Sequence, residues 1–271
     1  MMRYLTVCAD DFGASEGISQ GIARLAGLGR ISATSAMVLS PRWAGDAALL
    51  QNLRGHIDVG LHLDWTSVFA RASGHGVSLR GAMLKAVLGG FDPAAARAVI
   101  ERQLDAFEAV WQAPPDHIDG HQHVQQFAGI RQALVAAVQQ RYAINNRAYL
   151  RLSTPTKSDK SLKSSIISRM GAAALAGLAE KAGIRCAPAL SGIYDFTGGA
   201  QRYARLMAHW LHDAPAGAIL MCHPAARVEP GDELGTARAW EYAYLSSDVF
   251  PRALTRAGVM LSRGAPLHRK P

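Results

Sequence analysis

The sequence predicts an α/β protein: a distorted or incomplete (β/α) barrel of mostly parallel strands, forming a single domain over residues 1–271. Three observations predict it. Short apolar β-like runs alternate with longer stretches whose apolar residues recur at helical spacing. At least seven strand-like runs are present, more than a small open sheet needs. Hydrophobic residues make up 49% of the 271, enough to fill one large core. A doubly wound open sheet is the alternative arrangement of the same rhythm.

The elements follow in order. Residues 4–9 form the first strand, which runs into Asp10-Asp11-Phe12-Gly13. Residues 15–27 form a helix with Ser15 as N-cap and Ile18, Ile22 and Leu25 on one face. Strands at 34–39 and 57–63 flank a helical stretch at 43–53. Residues 67–90, with weak periodicity, form an excursion or lid that shapes a substrate pocket by position. Asp92 and Pro93 then open a strong helix at N-cap and N1. Ala96, Ile100, Leu104, Phe107 and Trp111 carry its buried face, and Pro114 and Pro115 stop it. A short strand at 117–119 precedes a helix at 130–142, and residues 150–152 make another strand.

The second half continues the alternation. Residues 153–170 form a further substrate-shaping loop that includes a polar stretch at 157–163. A helix at 172–182 closes on Gly183. Strands are expected at 184–187, 218–222 and 259–261, with helices at 203–211 and over most of 237–256.

Composition narrows the function. The 29 basic and 21 acidic residues give a net charge of +8, which favours acidic surfaces or anionic ligands without specifying either. No nucleic-acid-binding motif accompanies the charge, so no nucleic-acid partner is expected. The one basic cluster, Lys157, Lys160 and Lys163, reads as a solvated loop. Cys8, Cys186 and Cys222 lack paired spacing and lie in strand-like runs, which implies buried free thiols and a reducing cytoplasm. No run approaches the roughly 18 apolar residues of a membrane span. The first strand begins at once, and Asp10 interrupts any signal-peptide core. A soluble cytoplasmic protein is the expectation.

Chemistry should sit at the C-terminal ends of the parallel strands. Four strand ends carry acids or imidazoles: Asp10 and Asp11, His62, His121 and His123, and His223 before Pro224. One Asp with two His is a common way to hold a catalytic divalent ion with open positions. A second carboxylate can take a proton from water and a further His can protonate a leaving group. Two adjacent aspartates suit such a division, and Gly13 permits the tight turn that brings both to one site. His56, His75, His117, His209, His212 and His268 lack this support, and most are expected at the surface.

Ala9-Asp10-Asp11-Phe12-Gly13, Gly60-Leu61-His62-Leu63, Asp119-Gly120-His121-Gln122-His123 and Met221-Cys222-His223-Pro224 resemble, in order and spacing, the motifs of the YdjC-like family of carbohydrate deacetylases. That family includes chitooligosaccharide and hopanoid-associated deacetylases. A weaker tail signal, Arg238, Glu241 and Leu245 before Gly258-Val259-Met260-Leu261, extends the resemblance over roughly residues 3–265.

The resemblance implies hydrolysis of the N-acetyl group of an amino sugar, with a chitooligosaccharide or an N-acetylglucosaminyl lipid as substrate. It implies Asp10 as base, and Asp11, His62 and His121 as ligands of one divalent metal ion. His121 is preferred to His123 because the family's ligand follows the Asp by two residues. His223 is implied as general acid or oxyanion contact, and Arg151 is the candidate that orients the acid. Mixed N/O ligands favour Zn²⁺ on softness; the family points to Mg²⁺ and to a homodimer. Two departures touch the surroundings of His223: Ile219 where the family often has Glu, and Ala225 where it often has Gly. A different barrel metalloenzyme, such as a phosphodiesterase or sugar isomerase, and a non-catalytic sugar-binding barrel are the competing readings.

Overall fold

The computed structural model describes residues 2–156 and 162–264. Eight strands form one parallel sheet: β1 (Arg3–Phe12), β2 (Ala33–Ala36), β3 (Asp58–Leu63), β4 (His117–Gly120), β5 (Tyr149–Leu150), β6 (Leu190–Ser191), β7 (Ile219–Cys222) and β8 (Val259–Leu261). Their order is β5-β4-β3-β2-β1-β7-β6, with β8 pairing the start of β1. This is the cyclic order of a barrel opened at the β5/β6 seam. Two isolated parallel bridges, Leu150–Cys186 and Pro155–Leu190, span that seam. In a doubly wound sheet the strands on the far side of β1 would run outward in rising order, as in 3-2-1-4-5-6, whereas here they run β7 then β6, back toward β5. The curled, incomplete barrel is therefore the correct reading.

Local chemistry explains the helices that were legible. Ser15 accepts from the Ile18 N–H and caps helix Glu16–Gly27. Asp92 accepts from the Ala95 N–H, and Pro93 opens helix Pro93–Trp111. That helix buries Ala96, Ile100, Leu104, Phe107 and Trp111, as its spacing predicts. Phe107 stacks on Trp43 at 5.5 Å, and Trp43 meets Phe12 of β1 edge-on at 6.3 Å. Burying each such aromatic contributes roughly 1.5–3 kcal/mol, which fixes this helix against the base of the site.

Several expectations change. The strand expected at 184–187 is absent as a ladder; only the single bridge at Cys186 remains, and β6 lies at Leu190–Ser191. Pro188, which has no N–H to donate, stands between them. The stretch at 43–53 is one α-turn, Trp43–Asp46, followed by 3₁₀ helix Ala47–Leu53. The stretch at 237–256 is two helices, Gly235–Ser246 and Val249–Ala257. Within 67–90 lie helices Val68–Ala72 and Leu79–Val87, capped by Ser67 and Ser78. Of the polar stretch at 157–163, Lys157 and Lys160 lie outside the described residues, and helix Leu162–Arg169 takes up its end. His268 also lies outside them. The three cysteines are free thiols; Cys186 is only half-buried.

Candidate metal centre and catalytic cleft

β1 delivers both aspartates to one cavity, which a regular strand cannot do because successive side chains point to opposite faces. Asp11 itself breaks the alternation, with φ 71° in the left-handed region. The β1–β2 register shifts between Ala9 and Phe12 at the same place. Gly13, at φ 89°, completes the turn. The sequence signal is the glycine; the decisive residue is the strained aspartate two positions before it.

Asp11 Oδ1 lies 3.2 Å from His121 Nδ1 and 3.5 Å from His62 Nε2. Its other oxygen accepts from Arg238 Nη2 at 2.7 Å. His62 and Asp119 are register partners across β3 and β4. That pairing sets the 2.6 Å contact from His62 Nδ1 to Asp119 Oδ1. An imidazole that gives Nδ1–H to a carboxylate presents the Nε2 lone pair on its far side, the usual arrangement behind a metal ligand. Burial opposes a charge on His62, but Asp119, Asp10 and Asp11 outweigh it and push its pKa up to about 9.

Among the described residues, three groups of side chains could hold an ion: Asp11–His62–His121, Asp10–His62–Asp119 and Cys8–His117–Asp119. In the second, the cation is already present. Arg151 Nη1 lies 2.6 Å from Asp10 Oδ1 and 2.9 Å from Asp119 Oδ2. In the third, Ser35 Oγ stands among the donors, 3.3 Å from Cys8 Sγ, 2.9 Å from His117 Nε2 and 2.6 Å from Asp119 Oδ2. Only in the first do all three side chains also line the large cavity. Its mixed N/O donors fit a divalent ion.

Asp10 is held differently. Arg151, fully buried, grips both its oxygens at 2.6 and 2.7 Å. Burial favours the neutral acid, but Arg151 and then His62 outweigh it, so the carboxyl is held below its ordinary value and stays ionised. His223 Nε2 lies 3.8 Å from Asp10 Oδ2, and its Nδ1 has no hydrogen-bond partner among the described residues. Burial lowers the His223 pKa to about 4, so the ring is neutral at rest.

The His223 backbone N–H donates to Glu241 Oε2 at 2.5 Å, and Tyr194 Oη donates to Oε1 at 2.7 Å. Burial pushes Glu241 up to about 7 despite both donors. The carboxylate beside His223 thus comes from helix Gly235–Ser246. Ile219 of β7 packs instead with Cys8 and Ala33 in the core.

The sequence reading needs one correction here. His117, one of six histidines most of which are expected at the surface, is wholly buried beneath the site, stacked on Tyr149 at 5.3 Å. Gly60 makes room for it: a Cβ there would lie 2.4 Å from the ring. Sequence reasoning assigns no role to Asp119, Ser35 or Arg238; Asp119 contacts His62, Arg238 contacts Asp11, and Ser35 holds Asp119 from behind at 2.6 Å. His123 is turned aside to Ser153 Oγ at 2.9 Å. Burial and Arg151 lower its pKa to about 3.

The cavity has a volume of about 670 Å³. Asp10, Asp11, His62, His121 and His223 form its polar floor, and Leu79, Met83, Phe127, Ile166, Ile167 and Met170 are among its walls. Both stretches expected to shape a pocket, 67–90 and 153–170, contribute to it.

A family model described as YdjC-like protein matches residues 4–256. The chain belongs to the YdjC-like family. This YdjC-like chain is 31% identical over 146 residues to chitooligosaccharide deacetylase of Proteus mirabilis strain HI4320, covering 52% of this chain and 57% of that protein. It is 31% identical over 130 residues to chitooligosaccharide deacetylase of Serratia marcescens, covering 46% of this chain and 51% of that protein. It thus spans about half the length of the curated relatives it matches. In fold, the YdjC-like chain is similar to a protein of Enterococcus faecalis V583 named for cellobiose-phosphate cleavage. That match has TM-score 0.74 at 18% identity and covers 99% of this chain and 100% of the other. A further likeness is to the Xyl-CE4 domain of a multidomain xylanase from the hindgut metagenome of Trinervitermes trinervoides, with TM-score 0.52 at 8% identity, covering 98% and 90%. No helix among the described residues is long and apolar enough to cross a membrane.

Proposed function

We propose that this protein is a metal-dependent hydrolase that removes the N-acetyl group from an amino sugar. The observation that carries the reading is the separation of the two aspartates. Asp11 faces two imidazoles, while Asp10 stays ionised under Arg151 and faces His223 at 3.8 Å. A pure binding protein has no use for a proton acceptor held in that position. The names of the curated relatives support a carbohydrate substrate.

A divalent ion held by Asp11, His62 and His121 would polarise the acetyl carbonyl and stabilise charge building on its oxygen. Asp119 orients His62, and Arg238 orients Asp11 through its second oxygen. Asp10 takes a proton from the water whose oxygen attacks the acetyl carbon. Asp10 Oδ1 also accepts from the Cys8 thiol, so Oδ2 is the oxygen that keeps a lone pair beyond its bond to Arg151 for this purpose. His223 Nε2, neutral at rest and 3.8 Å from Asp10 Oδ2, takes that proton from Asp10 and delivers it to the departing nitrogen as the C–N bond breaks. The products are acetate and a free amino sugar.

Of the two substrate classes, a chitooligosaccharide and an N-acetylglucosaminyl lipid, the apolar walls formed by Leu79, Met83, Ile166 and Ile167 favour the lipid. The N/O donors suit Zn²⁺, and Mg²⁺ is the ion the family resemblance supports. Three free thiols fit a reducing cytoplasm. The test is acetate release from N-acetylglucosamine oligomers and N-acetylglucosaminyl lipids, with Zn²⁺ or Mg²⁺ and with a chelator. Release that a chelator abolishes is expected. No release from any acetylated sugar by protein that binds the ion would rule the reading out.

A further inference from the structure

The cavity wall does not end at the mouth. Helix Leu79–Val87 places Leu79 and Met83 in the wall. At about 100° per residue, Val87, Leu84 and Leu88 continue that arc onto the open side of the helix. Val87 and Leu88 are 71% and 75% exposed, the most exposed large apolar side chains among the described residues. Ile166, on helix Leu162–Arg169, also lines the cavity and is 42% exposed. Single exposed apolar residues are ordinary, but a group continuous with an apolar cavity marks an interaction surface.

The charge of the same segments selects the partner. From Trp65 to Phe91 there is no Asp or Glu, while Arg71, Arg80 and Lys85 are present. Residues 160–179 likewise contain no acid but carry Lys160, Lys163 and Arg169. Arg80 falls within the apolar arc and Lys85 beside it, where long basic side chains can reach anionic groups while their stems cover apolar surface. A second copy of the chain in a two-fold contact would set these cations against themselves. A protein partner would also cover the cavity mouth, whereas a lipid surface can feed an amphiphile into it.

We propose that the rim formed by residues 79–88 and Ile166 docks on an anionic lipid bilayer. The apolar residues enter the interface and Arg80 and Lys85 meet the headgroups. The inference accords with a lipid-linked substrate but does not depend on turnover.

Vesicle co-sedimentation tests it with the full chain. Phosphatidylcholine vesicles containing phosphatidylglycerol should pellet the protein at low salt, and pure phosphatidylcholine should do so far less. Arg80→Gln with Lys85→Gln should weaken partitioning about 25-fold, at about five-fold per basic residue. Leu84→Ser, Val87→Ser and Leu88→Ser together should weaken it at least as much, and none of the five positions lines the cavity. Wild-type protein that ignores anionic vesicles overturns the proposal, as do variants that bind like wild type. If the apolar triple variant instead breaks a dimer in sedimentation velocity, with no vesicle binding by wild type, the face belongs to a second copy. Because no turnover is measured, these failures leave the deacetylase reading standing.

Discussion

Arg151 donates two hydrogen bonds to Asp10, at 2.6 and 2.7 Å, across 141 residues of sequence. The same Nη1 lies 2.9 Å from Asp119, which in turn holds His62. One buried guanidinium therefore orients the proposed base and backs the carboxylate behind a proposed ligand.

Arg151→Met should be among the most destabilising single changes. It leaves Asp10 and Asp119 buried with no cation between them, which costs about 3–5 kcal/mol. Arg151→Lys keeps the charge but cannot form the two-pronged grip, so it should recover part of the loss. Urea unfolding of both variants measures this. Wild-type stability in Arg151→Met would show that the pair is not the main charge compensation.

Asp10→Asn should separate chemistry from ion binding. Acetate release should fall by about 100- to 10,000-fold, the usual contribution of a positioned base. Zn²⁺ or Mg²⁺ uptake in equilibrium dialysis should stay near wild type, whereas Asp11→Asn should lose it. The reverse pattern would exchange the roles of the two aspartates.

Asp119→Asn should weaken ion affinity by about 10- to 100-fold without touching a donor atom. Its carboxylate is the group that fixes the His62 ring, through a 2.6 Å contact. Competition with a chromogenic chelator reads the shift directly. Unchanged affinity would remove Asp119 from the design of the centre.

Glu241 should make stability depend on pH in an unusual direction. Its folded pKa is raised from 4.5 to about 7, chiefly by burial. The protonated form is therefore favoured on folding. Its stabilising contribution is complete below about 4.5 and is lost as pH rises through about 7. The loss is on the order of 3 kcal/mol. In Glu241→Gln, the amide can still accept from the His223 N–H and can donate to the Tyr194 hydroxyl. Melting temperature against pH should fall more steeply for wild type than for Glu241→Gln across that window. Parallel curves would mean that Glu241 does not titrate there.

Gly60→Ala should destabilise the barrel by about 1–3 kcal/mol through overpacking. The added methyl would lie 2.4 Å from the His117 ring, which is buried on all sides and cannot retreat. Thermal melts compare it with wild type.

Much of the molecule could be read along the chain because the signals are local. Caps at Ser15 and Asp92 marked helix starts, and the apolar period of 93–111 named its buried face. Strand ends carrying acids and imidazoles pointed to one face of a parallel barrel, and the structure brings Asp10, Asp11, His62, His121 and His223 to one cavity there. The strand misplaced at 184–187 shows the limit: a short apolar run fixes no register, and Pro188 moved the ladder to Leu190–Ser191.

The sequence by itself determined the barrel, the family and the residue types gathered at the strand ends. Hydrophobic period, capping and motif spacing are properties of neighbours along the chain. Only the tertiary structure decided what each carboxylate touches. Asp11 turns into the left-handed region and meets two imidazoles, while Arg151 arrives from β5 to hold Asp10. It also put His117, to which the chain alone gave no part in the site, under Asp119. Those outcomes depend on distances between residues that are remote in sequence, where burial and charge act through space.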